Sequence, residues 1–304
     1  MRALAVALFL LGLLCLAQSP RADMMLTGVG GGPVASAAAG YQGPGDIVSG
    51  ASAWYAANQC YNTAYSGNVA DVWDSTTGNT TETLITCSAG GTLNFTVNPI
   101  ATTCSSGCVI KTMYDQTGSL ACGGAACDVT EATLANRPTY TANALNSKAC
   151  GTWTVSIALN STNALTSIPQ QFSYVAVAER TGSFTTAQRI IETSSAGTRM
   201  GFSNAGNTTS INAGSSFTAV ASDSSFHALI DVFNNASSSI VVDGSATAGT
   251  AGAGASATTI EIGNETVTNS NLVGLFCEGG IWPVGLNATQ YGNLNSNMHT
   301  RWNF

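Results

Sequence analysis

The sequence FHALIDVFNNASSSIVVDG, residues 226–244, indicates the fold class more clearly than other stretches of the chain. Two runs rich in Val, Ile, Leu and Phe flank a polar segment of Asn, Ala and Ser, a pattern typical of a β-hairpin. We expect its loop at Asn234–Ser237. Within the hairpin, Asp231 is expected on the sheet surface and Asp243 in a turn.

Further short runs of this kind extend on both sides of the hairpin. The clearest predicted strands cover residues 171–180, 258–264 and 272–282, separated by Gly, Asn and Ser. No period of 20 to 50 residues recurs, which argues against a propeller or β-helix. The pattern predicts an all-β domain, a β-sandwich or jelly roll.

One segment has helical spacing instead. Trp54, Ala57, Tyr61 and Tyr65 recur at steps of three and four within residues 49–68. We therefore expect one short N-terminal helix there.

The composition narrows the function classes. Only 8% of the 304 residues are charged, and the formal net charge is −7. Because the basic residues are scattered, phosphate-rich partners are disfavoured, and we expect neither nucleic acid nor an anionic membrane surface as a partner.

The N-terminus resembles a secretory leader. Arg2 precedes an apolar run, and we expect a signal peptide over residues 1–22, with an uncleaved anchor or a lipoprotein using Cys15 as alternatives. A flexible Gly/Ala-rich lead-in over 23–45 and a single domain over 46–304 are expected to follow. The protein would then be secreted or cell-surface bound, with no membrane contact beyond the signal peptide.

Eight cysteines follow the leader, an even number that favours disulfides in an oxidising compartment. Cys104 with Cys108, and Cys122 with Cys127, are close enough to form small loops, whereas the other four would pair over longer spans. Neither histidine lies near the paired cysteines, so a zinc site is disfavoured. We expect no metal and no cofactor.

Three segments together resemble a known family. GPGDIVSG (43–50), TTCSSGCVIKTMYDQTG (102–118) and IEIGNETVTNSNLVGLFCEGGIWP (260–283) are similar to the catalytic domain of fungal and bacterial α-L-arabinofuranosidase B. The resemblance implies a concanavalin A-like jelly roll and a glycoside hydrolase that acts on α-L-arabinofuranosides.

The resemblance also implies a catalytic pair. A retaining glycosidase uses two carboxyl groups about 5 to 5.5 Å apart. The family acid/base follows an Ile-Gly step, which is Ile262-Gly263 here, so Glu265 is the positional match. The family's Asp-x-Glu nucleophile segment and its adjacent Cys-Cys pair do not occur, and Glu192 in RIIETSS is the expected second carboxylate.

Several other residues have structural interpretations. Asp115, in CVIKTMYDQTG (108–118), is expected to accept backbone N–H groups and hold a turn in which Gly118 has positive φ. Glu278 would need a partner or a proton if buried, and is expected on an outer face. His227 is expected at the surface or an edge. Trp54, Trp73, Trp153 and Trp282 could stack on a sugar, although core packing is favoured for each.

Three functions follow from these observations. The first is a secreted protein that recognises arabinose-containing or other glycans, with hydrolysis of α-L-arabinofuranosides as its further expectation. The second is a non-catalytic glycan-binding module on the same fold. The third is a structural surface or virion decoration protein.

Overall fold

The computed structural model describes residues 40–76, 82–96, 104, 107–182, 185–193, 197–204, 206–220, 223–256, 258–263 and 270–304. Nineteen strands and two α-helices, α1 (Pro44–Ile47) and α2 (Ala288–Trp302), lie within these ranges. The strands are β1 (Ala53–Ala56), β2 (Gly67–Asp74), β3 (Glu82–Ser88), β4 (Thr92–Thr96), β5 (Cys108–Met113), β6 (Val129–Thr130), β7 (Thr139–Leu145), β8 (Lys148–Trp153), β9 (Leu159–Ser161), β10 (Phe172–Arg180), β11 (Gln188–Thr193), β12 (Thr198–Phe202), β13 (Thr208–Ala213), β14 (Ser216–Val220), β15 (Phe226–Phe233), β16 (Ser238–Val242), β17 (Ser245–Gly249), β18 (Ile260–Ile262) and β19 (Gly274–Trp282).

The strands form a continuous antiparallel sheet that folds into two layers. Layer A has the order β4-β3-β2-β5-β6-β9-β18-β11-β12-β13-β14. Layer B has the order β7-β8-β19-β10-β15-β16-β17, with β1 also paired to β19. A pairing of Val109 on β5 with Thr139 on β7 joins the layers.

The main core lies between the layers. Ile191 and Ile211 from layer A and Phe172 and Phe233 from layer B belong to one buried apolar cluster. Hydrogen bonds also cross the core, since the Trp153 indole on β8 donates to the Ile262 carbonyl on β18 at 3.2 Å. The all-β sandwich or jelly-roll class predicted from sequence is therefore confirmed.

A second apolar cluster covers the outer face of layer B. Leu294 and Met298 of α2 pack there with Val175 and Val177 of β10 and Trp54 of β1. This helix begins with a capping box, because Asn287 Oδ1 accepts from the Gln290 N–H at 3.1 Å and Gln290 Oε1 accepts from the Asn287 N–H at 3.0 Å.

The predicted helix over residues 49–68 is wrong. That segment contributes strand β1 and the start of β2 instead. Trp54 and Tyr55 are both fully buried, one in the outer cluster and one in the inner core. A strand that is apolar on both faces shows no period of two, so the spacing of Trp54, Tyr61 and Tyr65 imitated a helical face.

The predicted hairpin over residues 226–244 is confirmed. Strands β15 and β16 pair directly, with a 3₁₀ turn at Asn235–Ser237 between them. Asp243 and Gly244 form the next two-residue turn, and both have positive φ, 48° and 85°.

Four disulfides cross-link the domain. Cys104–Cys108 and Cys122–Cys127 are the two small loops predicted from sequence. The longer spans are Cys60–Cys87 and Cys150–Cys277, the second of which joins β8 to β19.

Asp115 holds the turn after β5, as predicted. Its Oδ1 accepts the Thr117 N–H at 3.0 Å and the Trp54 N–H at 3.2 Å, while its Oδ2 accepts the Cys127 N–H at 3.3 Å. Gly118 has a φ of +68°. Burial raises the pKa of Asp115, although these hydrogen bonds oppose the shift. The carboxyl group joins three segments and is structural.

Candidate functional site

A row of polar side chains crosses layer A at right angles to its strands. Its members are directly paired from one strand to the next, and we call this set the polar row. In order across β13, β12, β11, β18, β9, β6, β5 and β2 it consists of Asn212, Arg199, Glu192, Glu261, Asn160, Thr130, Thr112 and Asp71.

The polar row lies on the outer face of layer A. Side chains alternate between the two faces of a strand. Ile260 and Ile262 on either side of Glu261 belong to the inner core, as do Ile191 beside Glu192 and Met200 beside Arg199. The charged members of the row therefore point away from the core.

Two carboxylates meet at the centre of the row. Glu192 on β11 and Glu261 on β18 are directly opposite each other, and each residue is only 3% exposed. Directly opposed residues on antiparallel strands have Cβ atoms about 4.5 to 5.5 Å apart. The backbone therefore brings these two side chains to one place.

Two guanidinium groups accompany the carboxylates. Arg199 is paired with Glu192 from the other neighbouring strand, and Arg189 Nε lies 3.7 Å from Glu192 Oε2. A register shift between Arg189 and Ile191 interrupts the pairing of β11 with β12. The centre of the row thus contains two acidic and two basic side chains.

An aromatic group stands near the other end of the row. Trp73 on β2 is half-buried, with Lys111 Nζ 4.5 Å and Arg137 Cζ 5.5 Å from the ring centroid. Lys111 Nζ also lies 3.7 Å from Asp71 Oδ2. Burial lowers the pKa of Arg137, whose Nε donates to the Glu131 carbonyl at 2.8 Å. The outer face of layer A therefore combines charged, amide, hydroxyl and aromatic groups.

The structure places the two predicted catalytic residues differently. Glu192 is in the polar row, whereas Glu265 lies outside the described residues. Glu261 is a member of the row that sequence reasoning missed. The alternation Ile260-Glu261-Ile262 could have indicated it, because an acidic residue between two core isoleucines of a strand must face away from the core.

Glu278 does not belong to the row. It is fully buried on the outer side of layer B beneath α2, where Arg301 Nη1 donates to its Oε2 at 2.8 Å and Trp302 Nε1 donates to its Oε1 at 2.7 Å. Burial alone would lower the pKa of Arg301, but the Glu278 charge outweighs it and the pKa is raised. Glu278 is on an outer face as expected, yet the helix covers it.

The expectation that Asp231 lies on the sheet surface is wrong. It is 2% exposed and shares the inner face of β15 with Leu229 and Phe233. Its Oδ2 has no hydrogen-bond partner in the described part of the chain. Burial raises the pKa of Asp231 well above its usual range. Burial therefore disfavours the charged form of this carboxyl group.

His227 is also buried, contrary to the expectation of a surface or edge histidine. It is 7% exposed, and its Nδ1 lies 2.6 Å from Asp243 Oδ2. The second histidine, His299 of α2, contacts the same carboxylate through Nε2 and Asp243 Oδ1, 3.3 Å apart. His299 therefore links α2 to the turn after β16, and His227 links β15 to the same turn.

Three of the four tryptophans that could stack on a sugar are instead packed in the core. Trp54, Trp153 and Trp282 are fully buried, which leaves Trp73 as the half-buried one. Among the described residues, no group of three His, Cys, Asp or Glu side chains could hold a metal ion. The described helices include none of the length and apolar character needed to cross a bilayer.

Comparisons with known proteins identify the fold. No protein-family model matches the chain, and no curated protein matches it in sequence. An arabinofuranosidase solved with arabinofuranosyl-α-1,2-xylobiose matches with a TM-score of 0.62 and 16% identity, covering 86% of this chain and 65% of that one. A glycoside hydrolase family 54 α-L-arabinofuranosidase soaked with a cyclic sulfate inhibitor has a TM-score of 0.62 and 15% identity, covering 86% and 66%.

The chain thus spans about two thirds of the length of these solved enzymes, 65% and 66%. At this identity the similarity shows a shared fold. It agrees with the fold that the sequence resemblance implied.

Proposed function

We propose that this chain is a secreted carbohydrate-recognising protein that binds arabinose-containing glycans on the outer face of layer A. The observation that carries the proposal is the direct pairing of Glu192 with Glu261 at the centre of the polar row. The similarity to arabinofuranosidases supports the sugar class, and the four disulfides support an extracellular location.

We further propose that the bound glycan is hydrolysed as an α-L-arabinofuranoside. In a retaining reaction one carboxylate attacks the anomeric carbon as the glycosidic bond breaks, and a second carboxyl group protonates the departing oxygen. Water, deprotonated by the second group, then releases arabinose from the first. Glu192 would be the nucleophile.

The acid/base has two candidates on or just after β18. Geometry favours Glu261, because the strand register places it beside Glu192. The sequence resemblance favours Glu265, which is three residues beyond the end of β18 at Ile262. If Glu261 is the acid/base, its substitution should abolish turnover, and if Glu265 is, the substitution of Glu265 should do so.

Turnover of an aryl α-L-arabinofuranoside tests the proposal. We expect Glu192→Gln to lower kcat/KM by at least about 10⁴-fold, because the amide cannot form the glycosyl-enzyme intermediate. Glu179→Gln on β10 of layer B is the matched control and should retain activity. The acid/base is the one of Glu261 and Glu265 whose Gln variant loses turnover and recovers it with added azide.

The alternatives give distinct results. Glycan-array binding without turnover in the unmodified protein would establish the non-catalytic binding module and refute hydrolysis. Neither binding nor turnover would refute both proposals and favour the structural surface protein.

A further inference from the structure

A shallow, solvent-open cavity of about 710 Å³ lies beside α2, on the side of the molecule where the helix covers layer B. Its walls come from α2, the segment Gly40–Gln42, α1 and the turn at Gly91. Because the polar row is on the outer face of layer A, this cavity is separate from the candidate active site. Its volume is in the range of small-ligand sites.

One face of α2 supplies a continuous polar wall. Asn293, Ser296, Asn297 and Thr300 all line the cavity, at successive steps of three, one and three residues. Residues so spaced share a helix face. All four side chains are uncharged. Asn293 and Thr300 supply one amide and one hydroxyl, whereas the Asn297 amide and the Ser296 hydroxyl, which donates to the Gly292 carbonyl at 3.0 Å, also make hydrogen bonds within the fold.

The two charged residues that border the cavity are already engaged. Arg301 donates to Glu278 Oε2 at 2.8 Å. Asp46 Oδ2 accepts the Gly43 N–H at 2.8 Å and the Thr63 N–H at 2.9 Å. An ionic ligand would therefore compete with contacts that the fold uses, so the lining suits an uncharged ligand.

Hydrogen bonds hold the wall in place. Asn297 Nδ2 donates to the Gln42 carbonyl at 2.9 Å, and Arg301 Nε donates to Asn297 Oδ1 at 2.7 Å. On the facing side the Tyr41 ring lies against Gly91, where a β-carbon would fall 2.1 Å from the ring. Tyr41 packs against the main core and its hydroxyl donates to the Cys60 carbonyl, so only the remaining surface of its ring lines the cavity opposite the fixed Asn297 amide.

We propose that this cavity is a second carbohydrate site, which binds a neutral saccharide. Amides and hydroxyls can donate to and accept from sugar hydroxyls, and an aromatic ring can contact the apolar face of a sugar. The inference rests on the proposed function for the ligand class, but it does not require catalysis. A second site would hold a polymeric glycan while layer A engages another part of it.

NMR titration of the full chain tests the proposal, with neutral arabino-oligosaccharides and xylo-oligosaccharides as probes. We expect saturable shifts at the side-chain amides of Asn293 and Asn297. Ser296→Trp should fill the cavity and weaken this binding at least tenfold, and the double variant Asn293→Ala/Thr300→Ala should also weaken it. Thr289→Trp, at an exposed position of the same helix that does not line the cavity, is the matched control.

The outcomes separate the two proposals. Shifts confined to layer A would overturn the second site and leave the proposed function standing. If the NMR titrations show no saturable shifts and the glycan array shows no binding, both the second site and the proposed function are overturned. Unchanged affinity in folded Ser296→Trp, or tighter binding of a uronic-acid oligosaccharide of equal length, would refute a neutral-saccharide site at this place.

Discussion

Glu278 at the centre of layer B and Arg301 in the last turn of α2 form a buried ion pair, with side chains 0% and 6% exposed. The pair attaches the helix to the sheet. Removal of one partner from a buried pair leaves an uncompensated charge, at a cost of about 3 to 5 kcal/mol.

We therefore expect Arg301→Met to lower the free energy of unfolding by about 3 to 5 kcal/mol. The double variant Glu278→Gln/Arg301→Met should recover much of this loss, since the substituted amide would be neutral and could still accept from the Trp302 indole. Urea unfolding measures both. A single variant as stable as the unmodified protein would show that the pair does not hold the helix.

Asp231 should make stability depend on pH. Because its pKa is raised by burial, its contribution is fully present below the unfolded-state value of about 4 and is lost as pH rises toward the folded value. The loss can reach about 1.4 kcal/mol per pH unit. Asp231→Asn removes the titration, so the stability of this variant relative to the unmodified protein should rise as the pH increases above about 4. Parallel stability curves for the two proteins would contradict the assignment.

His227 and Asp243 should stabilise the fold in a defined pH window. Burial alone would lower the His227 pKa, but Asp243 and Asp223 raise it; the hydrogen bond from His227 lowers the Asp243 pKa against the effect of burial. The histidine contribution is present below its unfolded value of about 6.5 and is lost as pH rises through the folded value. The Asp243 contribution is present above about 4 and is lost in acid.

His227→Gln should therefore cost most near pH 5 to 6, about 1 to 2 kcal/mol, and little at pH 9. Two other titratable groups lie near His227 and are unchanged in this variant. They are Glu179, whose pKa is raised by burial against the effect of the His227 charge, and His299, which contacts Asp243. Thermal unfolding at pH 5.5 and pH 9 gives the comparison. An equal loss at both values would mean that His227 acts by packing alone.

The disulfides should differ in their effects on stability. Cys150–Cys277 spans 127 residues, whereas Cys122–Cys127 spans five. Loop entropy predicts about 5 kcal/mol for the first and about 2 kcal/mol for the second. Paired Ala substitutions, compared by denaturant unfolding, test the order. A larger loss from the Cys122–Cys127 pair would show that local packing outweighs chain entropy.

The strands were predictable where runs of β-branched and aromatic residues are bounded by clear turn residues. The hairpin of β15 and β16 has this pattern although both faces of β15 are buried, and its turn lies within the predicted loop. Strand β1 was missed because Trp54 and Tyr55 are buried on opposite faces. Helix α2 was missed because Leu294 and Met298 stand among Asn, Ser and Thr, which have weak helix propensity.

The candidate site was only partly predictable for a different reason. Glu192 could be identified as an acidic residue at a strand end. Its neighbour Glu261 is 69 positions later in the chain, and their meeting depends on the pairing of β11 with β18. Local patterns can indicate that Glu261 faces outward, but they do not specify which strand lies beside β18. His227 on β15 and His299 on α2 are likewise brought together by tertiary structure, because both contact the Asp243 carboxylate.

The polar row limits which insertions and deletions the sequence can tolerate. Its eight side chains come from eight strands distributed along the chain from Asp71 to Glu261, so no single peptide segment carries the site. Deletion of one residue early in β12 would turn Arg199 toward the core and Met200 toward the outer face. Insertions and deletions within layer A are thus constrained as strongly as substitutions of the glutamates, whereas length changes in the connecting turns leave the row intact.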